Sequence, residues 1–229
     1  MIFERISRNF QLKFKDRVSA ASILADTTKS SVRREPKNDT IVFGIPRGGV
    51  ITADIFAIRL NIPNFDIVMP RKLTDPDNKE QATGSIMEDG TTYLDEQQIR
   101  DSGISLDYIE KEKLTQIEEI KRRKDVYHSS KRHYGDIVNS TIILVDDGAA
   151  TGATAIAAAR WIRKALRPKF FTIAIPVAPK QTVKLLEREC DLVKVVMSPM
   201  NFRSVGQFYQ DFSVVTDEQV ISILRKRNQ

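Results

Sequence analysis

Apolar residues in this chain fall into short continuous runs separated by stretches of helical spacing. Ile41-Val42-Phe43-Gly44-Ile45 and Phe65-Asp66-Ile67-Val68-Met69 are two such runs, and 142–145, 171–177 and 192–197 repeat the pattern in the second half. Runs of this length predict strands buried on both faces. Between them the spacing predicts helices over 17–29 (Val18, Ala21, Leu24, Ala25), over a segment marked by Ile51, Ile55 and Ile58, over 154–166 and over about 180–189. A long polar helix is expected from Leu106 to Tyr127, with Leu114, Ile117 and Ile120 on one side. Glu118 with Arg122 and Glu119 with Arg123 would form its charge pairs, and the basic residues 121–124 read as a solvated helix end. Asp89-Gly90, between 84–88 and 91–94, is a hairpin signal. The polar stretch 71–83, with Pro76 and Asp77-Asn78, reads as a mobile loop, and a last helix opens at Thr216-Asp217-Glu218. Strands alternating with helices predict an α/β fold on a parallel sheet with right-handed crossovers.

Composition narrows this only a little. The length of 229 residues suits one domain, with a core over about 16–198 and a C-terminal segment over about 199–229. The net charge of +6 is spread among 30 acidic residues with no basic arm, so a small anionic substrate accounts for it as well as nucleic acid does. No apolar run approaches the roughly 18–20 residues of a membrane span. The first residues alternate charged and apolar side chains rather than forming a signal peptide, so a cytoplasmic location is expected. Cys190 is the only cysteine, which excludes an internal disulfide and a cysteine-cluster metal site; it reads as a small buried hydrophobe near a helix end. His128 and His133 stand in a charged stretch and read as surface residues.

The candidate chemistry lies in Asp146-Asp147-Gly148-Ala149-Ala150-Thr151-Gly152-Ala153-Thr154. Ligands of open parallel sheets bind at the carboxyl ends of strands, and this loop leaves such an end. Its small side chains let a ligand approach backbone N–H groups at a helix N-terminus, where the dipole favours an anion, and Thr151 and Thr154 add hydroxyl donors. A phosphate monoester fits that part. Asp146 and Asp147 can accept hydrogen bonds from vicinal hydroxyls or face a metal-bound diol. A nucleotide-binding Walker loop needs a lysine where Ala153 stands, and Gly148 and Gly152 lack the dinucleotide-binding spacing. A phosphorylatable receiver domain has no use for a Thr-Gly-x-Thr nest beside its acids. The bland reading is a helix cap with two incidental aspartates.

Four apolar residues, two acids, and Thr-Gly-x-Thr opening a helix closely resemble the signature with which type I phosphoribosyltransferases bind 5-phosphoribosyl diphosphate (PRPP). Gly44-Ile45-Pro46-Arg47-Gly48-Gly49 resembles that family's diphosphate loop, and Pro70-Arg71-Lys72 resembles the Arg-Lys pair before its flexible catalytic loop. From about 16 to 224 the chain is similar to a group of predicted phosphoribosyltransferases without an assigned acceptor. The shared features include the Val-Pro-Val-Ala-Pro-like strand end at 175–179 and the Val-Gly-x-Phe/Trp-Tyr-x-Asp-Phe stretch at 205–212.

The resemblance implies a Rossmann-like parallel sheet flanked by helices, with a small variable hood and a flexible loop or hairpin. It implies transfer of the phosphoribosyl group to a nitrogenous acceptor with release of diphosphate. Asp146 and Asp147 would bind the ribose hydroxyls and, through them or through water, Mg²⁺. Residues Ala149, Ala150, Thr151, Gly152, Ala153 and Thr154 would hold the 5-phosphate. Arg47, Gly48, Gly49 and Lys72 would meet the diphosphate, in a loop where the family commonly has a cis non-proline peptide. Arg47, Lys72 and Asp147 are the expected catalytic groups. Residues 73–83 and the hairpin would close as a lid, with Lys79 as a further candidate. Hypoxanthine-guanine enzymes carry an aspartate where this chain has Ala150, so that acceptor class loses support. Glu88 and Asp89 are candidates for a general base, though turn residues by position. Phe202, Phe208, Tyr209 and Phe212 could stack on a flat acceptor, with packing the commoner role for each. A homodimer is expected. The competing function is a PRPP-sensing regulator on the same fold, against which stand the retained diphosphate loop and Lys72.

Overall fold

The five apolar runs become the five strands of one parallel sheet. The computed structural model describes residues 13–32, 39–79, 81–127 and 139–227; His128 and His133 lie outside them. In chain order the elements are α1 (Arg17–Val32), β1 (Thr40–Gly44), α2 (Gly48–Leu60), β2 (Asn64–Ile67), β3 (Arg71–Thr74), β4 (Ala82–Ile86), β5 (Thr92–Leu94), α3 (Glu96–Asp101), α4 (Leu106–Tyr127), β6 (Thr141–Val145), α5 (Ala153–Leu166), β7 (Phe170–Val177), α6 (Lys180–Leu186), β8 (Leu192–Met197), a 3-10 turn (Val205–Phe208) and α7 (Asp217–Arg227). The large sheet has the order β2-β1-β6-β7-β8, and every neighbouring pair in it is parallel. None of the described helices is long and apolar enough to cross a membrane.

Successive side chains of a strand point to opposite faces, and each face here has its own core. Val42, Ile143, Val145 and Ala174 pack with Leu24 of α1, Val50, Ala53 and Phe56 of α2, and Val220 and Leu224 of α7. Ile41, Phe43, Ile142, Leu144, Phe171 and Ile173 pack with Ile156, Ala159 and Ile162 of α5 on the other side. Every residue of β1 and β6 is buried, because helices cover both faces of the sheet centre.

Several details differ from the sequence expectation. The stretch 71–83 is only partly loop. Arg71–Thr74 pairs antiparallel with Ala82–Ile86, which continues to Thr92–Leu94 around the expected turn at Asp89-Gly90. The polar residues hide this strand because they bond along it: Thr83 Oγ1 donates to the Leu73 carbonyl and Ser85 Oγ to that of Arg71. Leu73, the one apolar residue there, is fully buried. In α2 the buried face is Val50, Ala53, Phe56, Ala57 and Leu60, while Ile58 is exposed; small and aromatic residues fit closer to the sheet than the isoleucines do. In α4, Ile109, Ile120 and Tyr127 are buried and Leu114 is exposed. Glu118 pairs with Lys121 rather than Arg122, and Glu119 takes both Arg122 and Arg123. The helix near 180–189 ends at Leu186.

Truncating Leu73 tests the second sheet directly. Leu73→Ala is expected to destabilise the protein by about 2–5 kcal/mol, the range for a buried leucine, where a loop position would change stability by less than about 0.5 kcal/mol. Urea unfolding midpoints measure the difference.

Candidate active site

β1 and β6 are neighbours, paired from Thr40 with Thr141 to Gly44 with Val145, so the loops that follow them leave the sheet side by side. The Ile45 N–H donates to the Val145 carbonyl at 3.2 Å and prolongs the contact past the strand ends. The peptide between Pro46 and Arg47 is cis, as the resemblance implies for this loop. Gly48 and Gly49 then begin α2 directly against the two carboxylates. A Cβ at Gly48 would stand 1.9 Å from Asp147 Oδ2, and one at Gly49 would stand 2.5 Å from Asp146 Oδ1. Only hydrogen at these Cα atoms lets the loops touch.

Asp147 has two partners that sequence reasoning missed. Arg17, at the start of α1, donates from Nε to Asp147 Oδ2 at 2.7 Å, and both side chains are nearly covered, 11% and 14% exposed. The same guanidinium donates to the Ser213 carbonyl at 2.8 Å and lies 3.8 Å from the centroid of the Phe212 ring. Tyr209 Oη donates to the Asp147 carbonyl at 2.5 Å. Asp146 Oδ1 accepts the Asp147 N–H at 2.8 Å. Burial, then the negative charge of Asp147, holds the Asp146 carboxyl well above the usual carboxylate range, while the positive charge of Lys72 works the other way. Burial also raises Asp147, against the pull of Arg17.

The cations divide by role. Lys72 is exposed on β3 and its charge acts on Asp146. Arg71, its neighbour, donates instead to Gln116 Oε1 at 2.9 Å, fastening β3 to α4. Arg47 stands 3.8 Å from Asp217 at the start of α7, and Asp217 accepts from Tyr127 Oη at 2.5 Å. Burial and that acceptor push the Tyr127 hydroxyl up to about 12. Arg47 and Asp217 are both 40% exposed, so their pair is a weak tether from which the guanidinium can move to a ligand.

The loop 148–154 is part structure and part open nest. The Ala149 N–H donates to the Val177 carbonyl at 3.0 Å, so this amide splices the loop to β7 and drops out of the expected anion cradle. Thr182 Oγ1 donates to the Ala150 carbonyl at 2.5 Å. Gly152 caps α5 with φ +81°, a conformation glycine adopts without steric penalty. Among the described residues, no protein acceptor meets the N–H groups of Ala150, Thr151 and Gly152 at the mouth of α5.

The other candidates are placed elsewhere. Glu88 pairs with Lys124 at 2.6 Å and Asp89 with Lys164 at 2.9 Å, both in partly exposed ion pairs. Phe208 and Tyr209 are buried, packed with Phe14 and Val177, and offer no face for stacking; Phe202 and Phe212 remain partly exposed. Burial pushes the half-buried Cys190 thiol up to about 11. Lys79 is exposed on the 75–81 connection.

The sequence over residues 18–211 matches the phosphoribosyl transferase domain family. The chain belongs to that family. The crystal structure of the protein TT1426 from Thermus thermophilus is 32% identical in sequence, with a TM-score of 0.70 covering 93% of this chain and 98% of that one. Two Mycobacterium tuberculosis proteins, provisionally named as phosphoribosyl transferases, are 32% identical over 184 residues, 80% of this chain and 41% of each of theirs. The chain thus spans about two fifths of the length of the curated relatives it matches.

In this phosphoribosyl transferase domain, Arg17 carries no local signal, since a lone arginine opening a helix is commonplace. Tyr209 lay within the 205–212 stretch, but as a ring rather than as a hydroxyl on the Asp147 carbonyl.

The raised carboxyls make the site a stability burden without a ligand. Folded Asp146 keeps a proton that the unfolded chain releases above its ordinary pKa of about 3.9, so its contribution falls as pH rises through that window. Asp146→Asn is therefore expected to raise Tm of the ligand-free protein at neutral pH, with the gain shrinking toward pH 4. Thermal melts of both proteins across that range check the sign.

Proposed function

We propose that this domain transfers the 5-phosphoribosyl group of PRPP to a nitrogenous acceptor and releases diphosphate. The observation that carries the reading is the contact of Gly48 and Gly49 with Asp147 and Asp146. It brings the N-terminus of α2 against a pair of carboxylates whose own loop runs into the N-terminus of α5. Helix N-termini favour anions, and ionised carboxylates accept from hydroxyls. A ligand suited to this arrangement carries phosphate groups at two ends and a diol between them, which is the layout of PRPP.

In this reading the open amides at 150–152 and Thr154 take the 5-phosphate, and Asp146 and Asp147 take the ribose hydroxyls. The amides of Gly48 and Gly49, with Arg47 and Lys72, take the diphosphate. The acceptor nitrogen donates its lone pair to the anomeric carbon while the bond from that carbon to the diphosphate oxygen breaks. The electron pair leaves with diphosphate, and the proton lost from nitrogen passes to solvent. Charge builds on the leaving group, so preorganised cations beside it lower the barrier. Arg17, through Asp147 Oδ2, and the Tyr209 hydroxyl, through the Asp147 carbonyl, position Asp147.

Mg²⁺ belongs to the same proposal. Two carboxylates held above their usual range, Asp146 by burial and the charge of Asp147, and Asp147 by burial against the pull of Arg17, suit a hard divalent cation. Among the described residues no cluster of three or more His, Cys, Asp or Glu could cage a metal, which fits an ion held mainly by water and substrate oxygens. When bound, the ion would neutralise charge on the diphosphate.

Diphosphate release from Mg²⁺–PRPP, measured across a panel of nucleobases and amines, tests the reading. The double substitution Asp146→Asn, Asp147→Asn is expected to abolish PRPP binding in calorimetry while the protein still melts cooperatively. Unchanged affinity would remove the site. Lys72→Ala is expected to lower turnover by about 10²-fold or more with a small change in PRPP affinity; wild-type turnover would take Lys72 out of the chemistry.

A further inference from the structure

We propose that Thr182, a buried residue of α6, is a positioning residue for the 5-phosphate, because its hydroxyl turns the Thr151 N–H toward the ligand. This deepens the transferase proposal and rests on it. Thr182 is 1% exposed, and its Oγ1 donates to the Ala150 carbonyl at 2.5 Å across 32 residues of chain. Threonines inside helices often return the hydroxyl to the carbonyl one turn before, as Thr28 does to Leu24 and Thr115 to Lys111. Thr182 gives its proton to another element instead. Its methyl group is as closely placed, for a Cβ at Gly152 would stand 2.9 Å from Thr182 Cγ2. One side chain thus meets the loop at two points, with Thr151 between them.

Peptide geometry supplies the consequence. Among the described residues the cis peptide is the one at Pro46-Arg47, so the peptide from Ala150 to Thr151 is trans. In a planar trans peptide the C=O and N–H point in opposite directions. A carbonyl pinned to α6 therefore sends the Thr151 N–H away from α6. Thr151 is exposed, and among the described residues no protein acceptor meets that N–H. Ala150 and Thr151 border an open hollow of about 450 Å³, room enough for a phosphate.

The groups on either side are already committed. The Ala149 N–H donates to the Val177 carbonyl, and the Gly152 carbonyl accepts the Ile156 N–H at 2.8 Å as α5 begins. With both flanks held, the direction of the 150–151 peptide is set by the Thr182 hydroxyl. Turned the other way, this peptide would offer its carbonyl oxygen to the phosphate, and the two negative groups would repel. The anion nest at the mouth of α5 depends in this way on a residue that does not touch the ligand.

Calorimetry of the wild-type protein, Thr182→Val and Thr182→Ser with ribose 5-phosphate, Mg²⁺–PRPP and Mg²⁺–diphosphate tests the proposal. Valine keeps the shape and removes the donor, whereas serine keeps the donor. Thr182→Val is expected to lose about tenfold in affinity for ribose 5-phosphate and for PRPP, the effect of one hydrogen bond to a charged group. Its diphosphate affinity should stay within about twofold, and Thr182→Ser should bind all three ligands within about twofold of wild type. Wild-type affinity for ribose 5-phosphate in Thr182→Val overturns the proposal. An equal loss for diphosphate overturns it too, as does a serine variant as weak as the valine one. Amide NMR of the wild-type protein decides even where Thr182→Val fails to fold. The Thr151 N–H resonance should move downfield when ribose 5-phosphate binds, and a resonance that stays in place overturns the proposal alone. Wild-type protein that binds neither PRPP nor ribose 5-phosphate is a separate result, which brings down the transferase reading and this proposal with it.

Discussion

Two adjacent carboxylates at the end of a central strand, largely withdrawn from water, set the terms for the rest of this molecule. Charge in a medium of low polarity is unfavourable unless it is compensated, and Asp146 and Asp147 repel each other as well. The chain answers asymmetrically. Asp147 receives Arg17 from α1, with the guanidinium held in place by Phe212 and the Ser213 carbonyl. Among the described residues Asp146 receives its neighbour's amide and the opposing charge of Lys72, and stays high. In the proposed reading, the unmet demand of this member becomes affinity for the ligand. Such strain at a working site is held by the stability of the surrounding sheet.

The same constraint explains why distant parts of the chain meet here. Phe14 bonds through its backbone to Phe208 and Gln210, so the segment before α1 and the segment after β8 form one unit. From it Arg17 reaches Asp147 Oδ2 and Tyr209 reaches the Asp147 carbonyl. On the other flank Tyr127, at the end of α4, holds Asp217, which in turn tethers Arg47. Asp217 also belongs to a helix whose start is fixed by Thr216 and Gln219, each side chain capping the other's backbone N–H. Side chains from α1, α4, α7 and the hood thus converge on the loops after β1 and β6.

Much of this was legible in the sequence, and the reasons are specific. Parallel strands buried on both faces read as unbroken apolar runs, which is why 41–45 and 142–145 announced the sheet. The carboxylate loop was legible because its chemistry is local: adjacent acids, small residues and a helix start in one stretch. What stayed hidden was held by tertiary contact. β3 is a strand of polar residues with only Leu73 to anchor it, so periodicity had little to detect. Arg17 and Asp147 are distant in sequence, and nothing near either announces the other. The Ala149 amide looked like part of an anion nest, yet its acceptor is the Val177 carbonyl on the adjacent strand, which the local sequence could not disclose.

The carboxylate loop and the turn beyond β8 are built from different materials. The loops after β1 and β6 rest on backbone: glycine Cα atoms against carboxylates, amides at two helix starts, and a register fixed by β1 and β6. Altering them means moving strands. The turn 199–203, beyond β8, whose residues are all only partly buried, rests instead on a side chain. There Gln207 fixes the backbone of the turn whatever Arg203 carries, because it bonds to N–H groups and a carbonyl rather than to side chains. A substitution at position 203 therefore changes the side chain that this turn presents without disturbing its frame.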